Sequence, residues 1–174
     1  MDEWVSVAAS HRTKRLMLAL AAAMLVFGGP SHATTTTTTF TVQITITASC
    51  TILSASTMNF GNSHGVLTGN VDQTSAIQVQ CTNTTPYNIG LDAGTGSGAT
   101  VATRKMSNGG NTINYSLYSD TGRSTVWGNT VGTNTVSATG NGASQSYTVY
   151  GRVPAQTTPA PATYTDTITV TVTY

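Results

Sequence analysis

The chain has 174 residues, of which only 7% are charged, and its formal net charge is +1. This length favours a single domain. Beyond residue 33 the four basic residues are balanced by the four aspartates, so this part has no net charge. So little charge leaves no electrostatic footprint for nucleic acid or anionic lipid, and we expect no nucleic-acid partner.

Residues 1–33 have the order of features found in a secretory signal peptide. A basic cluster at 11–15 precedes an uninterrupted apolar run of 12 residues at 16–27, and the small residues Ser31 and Ala33 follow. The apolar run is shorter than the about 20 residues that span a bilayer, so a short membrane anchor is the less favoured alternative. We predict cleavage after Ala33, which gives an exported chain with no membrane insertion after cleavage.

Residues 34–48 begin with six threonines and continue as alternating apolar and polar residues. Phe40, Val42, Ile44 and Ile46 occupy every second position, with threonine or glutamine between them. Period-two alternation with β-branched residues predicts a strand with one apolar face. The pattern alone fits two structures equally: the first strand of a closed sandwich, or a strand that is given to another chain.

The rest of the chain predicts short strands separated by turn residues. No stretch beyond residue 33 has the apolar spacing of a helix, so the pattern indicates an all-β sandwich or barrel. Residues 128–144 show only weak strand signals. Strands are predicted at 50–52, 75–81, 87–91, 101–106 and 113–118 (a hairpin around 107–111), 146–153 and 164–174.

Two cysteines, Cys50 and Cys81, lie in the exported part of the chain. In an exported protein two cysteines are expected to pair. Closing a loop of about 32 residues stabilises a fold by about 3–4 kcal/mol in the chain-entropy treatment. A zinc site is disfavoured because His64 is the only histidine beyond Ala33, and three such ligands do not complete a tetrahedral shell.

The exported part offers few groups for catalysis. It contains no glutamate and only four widely spaced aspartates. We therefore expect neither an enzyme nor a cofactor. Trp127 and the tyrosines are expected to pack in the core, and a stacking platform for sugars is the alternative.

Nine short fragments occur in a fixed order along the exported chain, and in this order they resemble the spore coat protein U domain. Pilins of the archaic chaperone–usher pathway share this domain. The fragments are Ala48-Ser49-Cys50, Asn59-Phe60-Gly61, Val79-Gln80-Cys81, Pro86-Tyr87-Asn88-Ile89, Arg104-Lys105-Met106, Ile113-Asn114-Tyr115-Ser116-Leu117-Tyr118, Trp127-Gly128, Tyr150-Gly151-Arg152-Val153-Pro154 and Tyr164-Thr165-Asp166-Thr167.

The resemblance implies an incomplete immunoglobulin-like β-sandwich that lacks its last strand and is completed by donor-strand exchange. A periplasmic chaperone fills the gap first, and an outer-membrane usher then lets the N-terminal strand of the next copy replace it. Residues 34–48 would be the donor segment and 49–174 the pilin domain. Cys50 and Cys81 match the disulfide of the family.

The resemblance also assigns roles to single residues. The donor side chains would be Phe40, Val42, Ile44 and Ile46. The product would be a head-to-tail fibre, a pilus that mediates adhesion and biofilm formation. A spore or cell-surface coat protein and a secreted sugar-binding adhesin are the alternative functions. The edge of the acceptor groove would include Ile52, Ile168, Val170, Val172 and Tyr174.

Overall fold

The structure of the protein is a computed structural model that describes residues 31–174. Most of the predicted signal peptide, residues 1–33, lies outside the described residues. Contacts between residues divide the chain into two units, with the boundary between Gln43 and Ile44. Residues 31–43 contain no helix or strand. Within residues 31–174 no helix is long and apolar enough to cross a membrane.

The part from Ile44 onwards forms eight β-strands. All of the strand pairings are antiparallel, and the strands form a five-stranded sheet in the order β1-β2-β7-β5-β4 and a three-stranded sheet in the order β6-β3-β8. The prediction of an all-β fold is confirmed. The strands are β1 (Cys50–Ala55), β2 (Val71–Cys81), β3 (Pro86–Leu91), β4 (Arg104–Asn108), β5 (Asn111–Tyr118), β6 (Val136–Thr139), β7 (Ser144–Val153) and β8 (Val170–Thr173).

The core lies between the two sheets and follows the alternation of the strands. In β2 every second residue at the C-terminal end is buried, and the intervening glutamines are exposed. Gly151 of β7 lets the segment after β1 cross the inner face of the sheet, since a Cβ atom there would collide with Met58 and Phe60. The largest apolar side chains that are fully buried are Trp127, Tyr87, Ile89, Leu91 and Val79.

Trp127 is a core residue and not a surface platform. Only 1% of it is exposed, and its indole Nε1 donates a hydrogen bond to the backbone oxygen of Ile89 at 2.8 Å. Tyr87 and Tyr115 are also buried. The prediction of core packing is therefore confirmed for these three residues, and the alternative of sugar stacking on Trp127 is wrong.

Several strand bounds differ from the sequence predictions. The β4–β5 hairpin turns at only two residues, Gly109 and Gly110, because Gly109 adopts a φ of +56° that suits a tight hairpin turn. The polar stretch 128–144 contains strand β6. The predicted C-terminal strand, residues 164–174, is paired only in β8, apart from one isolated bridge between Thr165 and Ser107.

Arg104 is a fully buried cation that joins β4 to the other sheet. Its guanidinium donates hydrogen bonds to four backbone oxygens: those of Leu91, Asp92, Val101 and Trp127, at 2.7–3.1 Å. Burial lowers the pKa of Arg104 from its ordinary value. These hydrogen bonds connect the end of β3, the loop before β4 and the Trp127 segment through one side chain.

We expect Arg104→Leu to lower the free energy of unfolding by about 3 kcal/mol or more, because buried carbonyl oxygens would lose their donors. Urea unfolding, followed by the fluorescence of Trp127, measures this change. The control is Arg152→Leu, which breaks a partly exposed ion pair with Asp72 and should cost about 1 kcal/mol or less. Equal effects of the two substitutions would contradict the assigned role of Arg104.

Candidate functional site

An exposed row of apolar side chains precedes the sandwich. Phe40, Val42, Ile44 and Ile46 are 86%, 84%, 82% and 73% exposed. No residue from 31 to 49 belongs to a strand. Within the described residues this segment is therefore not the first strand of the chain's own sandwich, which was one of the two structures the pattern allowed. A contiguous exposed apolar row is typical of an interaction surface.

Strands β1 and β8 each have one free edge. In the described part of the chain, β1 pairs only with β2, and β8 pairs only with β3. The two strands belong to different sheets and lie near each other. No strand of residues 31–174 lies between them. Free strand edges expose unpaired backbone donors and acceptors, which other strands can pair with.

The two free edges run in opposite directions. Cys50, the first residue of β1, lies opposite Cys81, the last residue of β2. The short turn after Cys81 leads into β3, so β1 and β3 start at the same end of the sandwich, which we call the cysteine end. Strand β8 is antiparallel to β3 and finishes at the cysteine end, where Thr173 lies opposite Asn88. The region bounded by the free edges of β1 and β8 is called the groove below.

Two apolar residues of β1 are exposed at the groove edge. Ile52 is 37% exposed and Leu53 is 46% exposed. The pairing with β2 shifts between Ile52 and Ser54, which leaves Leu53 without a partner residue, as in a β-bulge. The family resemblance implied Ile52 at this edge; Leu53 was not expected there, because a bulge breaks the period-two pattern.

Strand β8 supplies the other apolar edge. Ile168, Val170 and Val172 are half-buried and pack against the core. Ile168 comes before the strand, and Tyr174 lies beyond it and is 60% exposed. The alternating threonines point away from the core and are exposed. The structure thus brings Val170 and Val172 to the free edge, with Ile168 and Tyr174 just outside the paired residues.

Two aspartates that sequence analysis did not assign fix the chain before β8. Asp166 Oδ1 accepts hydrogen bonds from the backbone and hydroxyl of Thr95 at 2.7 and 2.8 Å, and its Oδ2 accepts one from the Tyr115 hydroxyl at 2.7 Å. Burial raises the pKa of Tyr115, and the hydrogen bond to Asp166 raises it further, so the phenol stays a donor. Asp92 Oδ1 accepts a hydrogen bond from the Thr169 backbone at 2.9 Å.

The cysteines pair as predicted and close the start of β1. Their sulfur atoms are 2.03 Å apart, and Cys81 is buried. The pairing continues one residue before β1: Ser49 accepts a hydrogen bond from the Thr82 backbone at 2.9 Å and donates one to the Thr82 hydroxyl at 3.1 Å. We call the disulfide and these two hydrogen bonds the clamp. Groups of three or more residues that could hold a metal ion are absent from residues 31–174.

Comparison with known proteins identifies the family. The family model of the Spore Coat Protein U domain matches residues 36–171. The chain belongs to this family. Protein U of Myxococcus xanthus is 36% identical over 168 residues, which cover 88% of this chain and 93% of that protein. The resemblance found from sequence fragments is therefore confirmed.

A solved structure shares the fold. It is the pre-assembly complex of the chaperone CsuC with the tip adhesion subunit CsuE, from archaic chaperone–usher Csu pili of Acinetobacter baumannii. The matched chain is 26% identical with a TM-score of 0.54, and the match covers 75% of our chain. Our chain spans 40% of the length of that chain. The immunoglobulin-like sandwich is confirmed.

Because the Asp92 carboxylate accepts a hydrogen bond from Thr169 just before β8, we expect the free energy of unfolding to depend on pH. Burial raises the pKa of Asp92, but hydrogen bonds from Thr169 and Gly94 outweigh it, and the pKa lies below its ordinary value. A lowered folded-state pKa stabilises the protein above the unfolded pKa of about 4, and this stabilisation is lost as the pH falls through the folded value.

We expect Asp92→Asn to destabilise the protein at pH 7, and we expect the difference from the wild type to shrink below about pH 4. Urea unfolding at several pH values gives this difference. Hydrogen exchange should show the loss of protection in β8 and not in β4. A difference that is constant between pH 7 and 3 would contradict the assigned role of the carboxylate.

Proposed function

We propose that the protein is a pilin that polymerises by donor-strand exchange. Residues 40–46 of one copy fill the groove between β1 and β8 of the next copy. The observation that carries this proposal is that one chain has both an exposed apolar row without a strand partner and two free edges without a strand between them. The apolar row has no backbone partner, and the free edges have unpaired backbone groups with apolar side chains beside them.

The energy of this exchange comes from backbone pairing and apolar burial. An added strand can make main-chain hydrogen bonds to the free edges, and its alternate side chains can enter the apolar space between them. Burial of Phe40, Val42, Ile44 and Ile46 contributes about 1.5–3 kcal/mol per side chain, or about 6–12 kcal/mol in total. The cost of ordering the segment reduces this gain.

The alternation also sets the register of the exchange. A shift by one residue would place Thr41, Gln43 and Thr45 in the groove and turn the apolar side chains to solvent. Such a slip removes the apolar burial, so one register is strongly favoured. Because the donor and the groove are different surfaces of one chain, repeated exchange gives open fibres and not closed rings.

Export and assembly partners complete the proposal. Cleavage after Ala33 would free a chain without net charge, which lowers repulsion between copies. A free groove would need protection before assembly, and a periplasmic chaperone that lends a strand, followed by an outer-membrane usher, would provide it. The structural neighbour is itself a complex between a chaperone and a subunit. The fibre would be a cell-surface pilus that mediates adhesion and biofilm formation.

A spore or cell-surface coat built by the same exchange is a second candidate, which the family name favours. It differs from a pilus only in the final assembly. Immunogold imaging of the protein on its host cell distinguishes the two, since a pilus gives extended fibres and a coat gives a continuous layer.

We expect a synthetic peptide of residues 34–49 to stabilise a chain that lacks residues 34–47. At 100 times the dissociation constant, such a ligand adds about 2.7 kcal/mol to the free energy of unfolding, which corresponds to a rise in Tm of about 5 °C or more. Differential scanning fluorimetry or calorimetry measures the shift. A peptide with Ile44→Asp is the matched control and should be inactive. No shift with the natural peptide would contradict the proposal.

We expect Ile44→Asp in the whole chain to prevent donation, because a charge would enter an apolar groove. The matched control is Thr45→Asp, which adds the same charge on the other face of the segment and should polymerise. Size-exclusion chromatography with light scattering measures the polymer fraction. The Ile44→Asp chain should still accept a wild-type strand in mixtures. Normal polymerisation of Ile44→Asp alone would show that the donor residues are misassigned.

A further inference from the structure

Insertion of the donor segment into the groove of its own chain would compete with the proposed exchange between copies. The donor segment and the groove are covalently joined, and a tethered ligand has an effective concentration in the millimolar range when its linker can span the sites. A chain that filled its own groove would leave nothing for a neighbour to bind. The structure must therefore disfavour self-insertion if copies are to join.

The point at which the segment joins the sandwich limits self-insertion. The chain enters β1 at the cysteine end, and β1 is itself one wall of the groove. To enter this groove, residues 40–46 would have to reverse direction before Cys50 and run antiparallel to β1. Only residues 47–49 are available for the reversal.

Because of the clamp, Ser49 is not available for this turn. Ser49 is held beside Thr82 by two hydrogen bonds, and Cys50 is tied to Cys81. A reversal would therefore need a two-residue turn made of Thr47 and Ala48. Two-residue hairpin turns require positive φ at one or both positions and prefer Asn-Gly or Gly-containing pairs. A β-branched threonine and an alanine are poor in such a turn.

The position of Ile46 shows the direction that the chain takes instead. Ile46 lines a shallow depression of about 370 Å³ together with Thr51, Gln80 and Thr82. Gln80 alternates with the buried Val79 and Cys81, so its side chain lies on the outer face of the five-stranded sheet. The last apolar residue of the segment thus lies at the cysteine end, beside the start of β1 and the turn after Cys81.

We propose that the clamp, with the turn-resistant pair Thr47-Ala48, keeps residues 40–46 out of the groove of their own domain and so commits the strand to another copy. This inference rests on the proposed function. It gives the disulfide a role in assembly in addition to stability. In this proposal the donor segment leaves the domain at the cysteine end and cannot turn back into the groove of the same copy.

The test introduces a favourable turn and leaves the disulfide and the apolar row unchanged. In Thr47→Asn/Ala48→Gly the two-residue turn becomes an Asn-Gly pair, which favours a tight hairpin. We expect this chain to fill its own groove and give a closed monomer, with a polymer fraction reduced about tenfold or more. Light scattering and thermal unfolding provide the readouts. The matched control, Thr35→Asn/Thr36→Gly, places the same residues far from the turn and should polymerise normally.

Binding of the peptide of residues 34–49 separates closure from misfolding. The closed chain should not be stabilised by the peptide, because its groove is occupied. Adding Ile44→Asp to the turn variant should reopen the groove and restore stabilisation. If peptide binding stays lost when Ile44 is replaced, residues 40–46 are not what occupies the groove of the turn variant, and the inference is wrong.

The outcomes also separate this inference from the proposed function. If the wild type polymerises and the turn variant polymerises equally well, the clamp does not direct the strand, and only the inference is overturned. If the wild type neither polymerises nor binds the peptide after residues 34–47 are deleted, the proposed function itself is wrong and the inference falls with it.

Discussion

Backbone hydrogen-bonding groups at the edges of a sheet must be paired or protected, and the properties of this protein follow from that constraint. Strands β1 and β8 lack a partner on one side within residues 31–174. The same chain carries an apolar row that no strand covers. The proposed exchange pairs the free edges of one copy and covers the apolar row of the next, so the stability of each copy depends on its neighbour. The neutral balance of charges beyond Ala33 does not oppose such contacts.

The fold class could be predicted because alternation in a sandwich follows directly from burial. Ile77, Val79 and Cys81 alternate with exposed glutamines, and the structure buries them as the pattern indicates. The apolar row of residues 40–46 and the valines of β8 follow from the same alternation. The disulfide could be predicted from the export signal together with the number of cysteines.

Other features depend on contacts between distant residues and leave no local pattern. Arg104 looks like a surface cation in the sequence, yet it is buried among carbonyl oxygens from three segments. Asp92 and Asp166 hold the entry to β8 through partners 77 and 71 residues away. Leu53 is exposed by a bulge that alternation does not reveal. The sequence predicts a strand at 40–46. A strand needs a partner strand to hydrogen-bond with, and residues 31–174 provide none for this segment.

The central claim is that the free edges and the donor segment become paired together on assembly. Hydrogen exchange of the polymer and of the chaperone-free monomer, followed by mass spectrometry, tests it most directly. We expect residues 40–46, β1 and β8 to gain protection in the polymer, while β4 is unchanged. Contradiction would come from a polymer in which residues 40–46 exchange as fast as in the monomer.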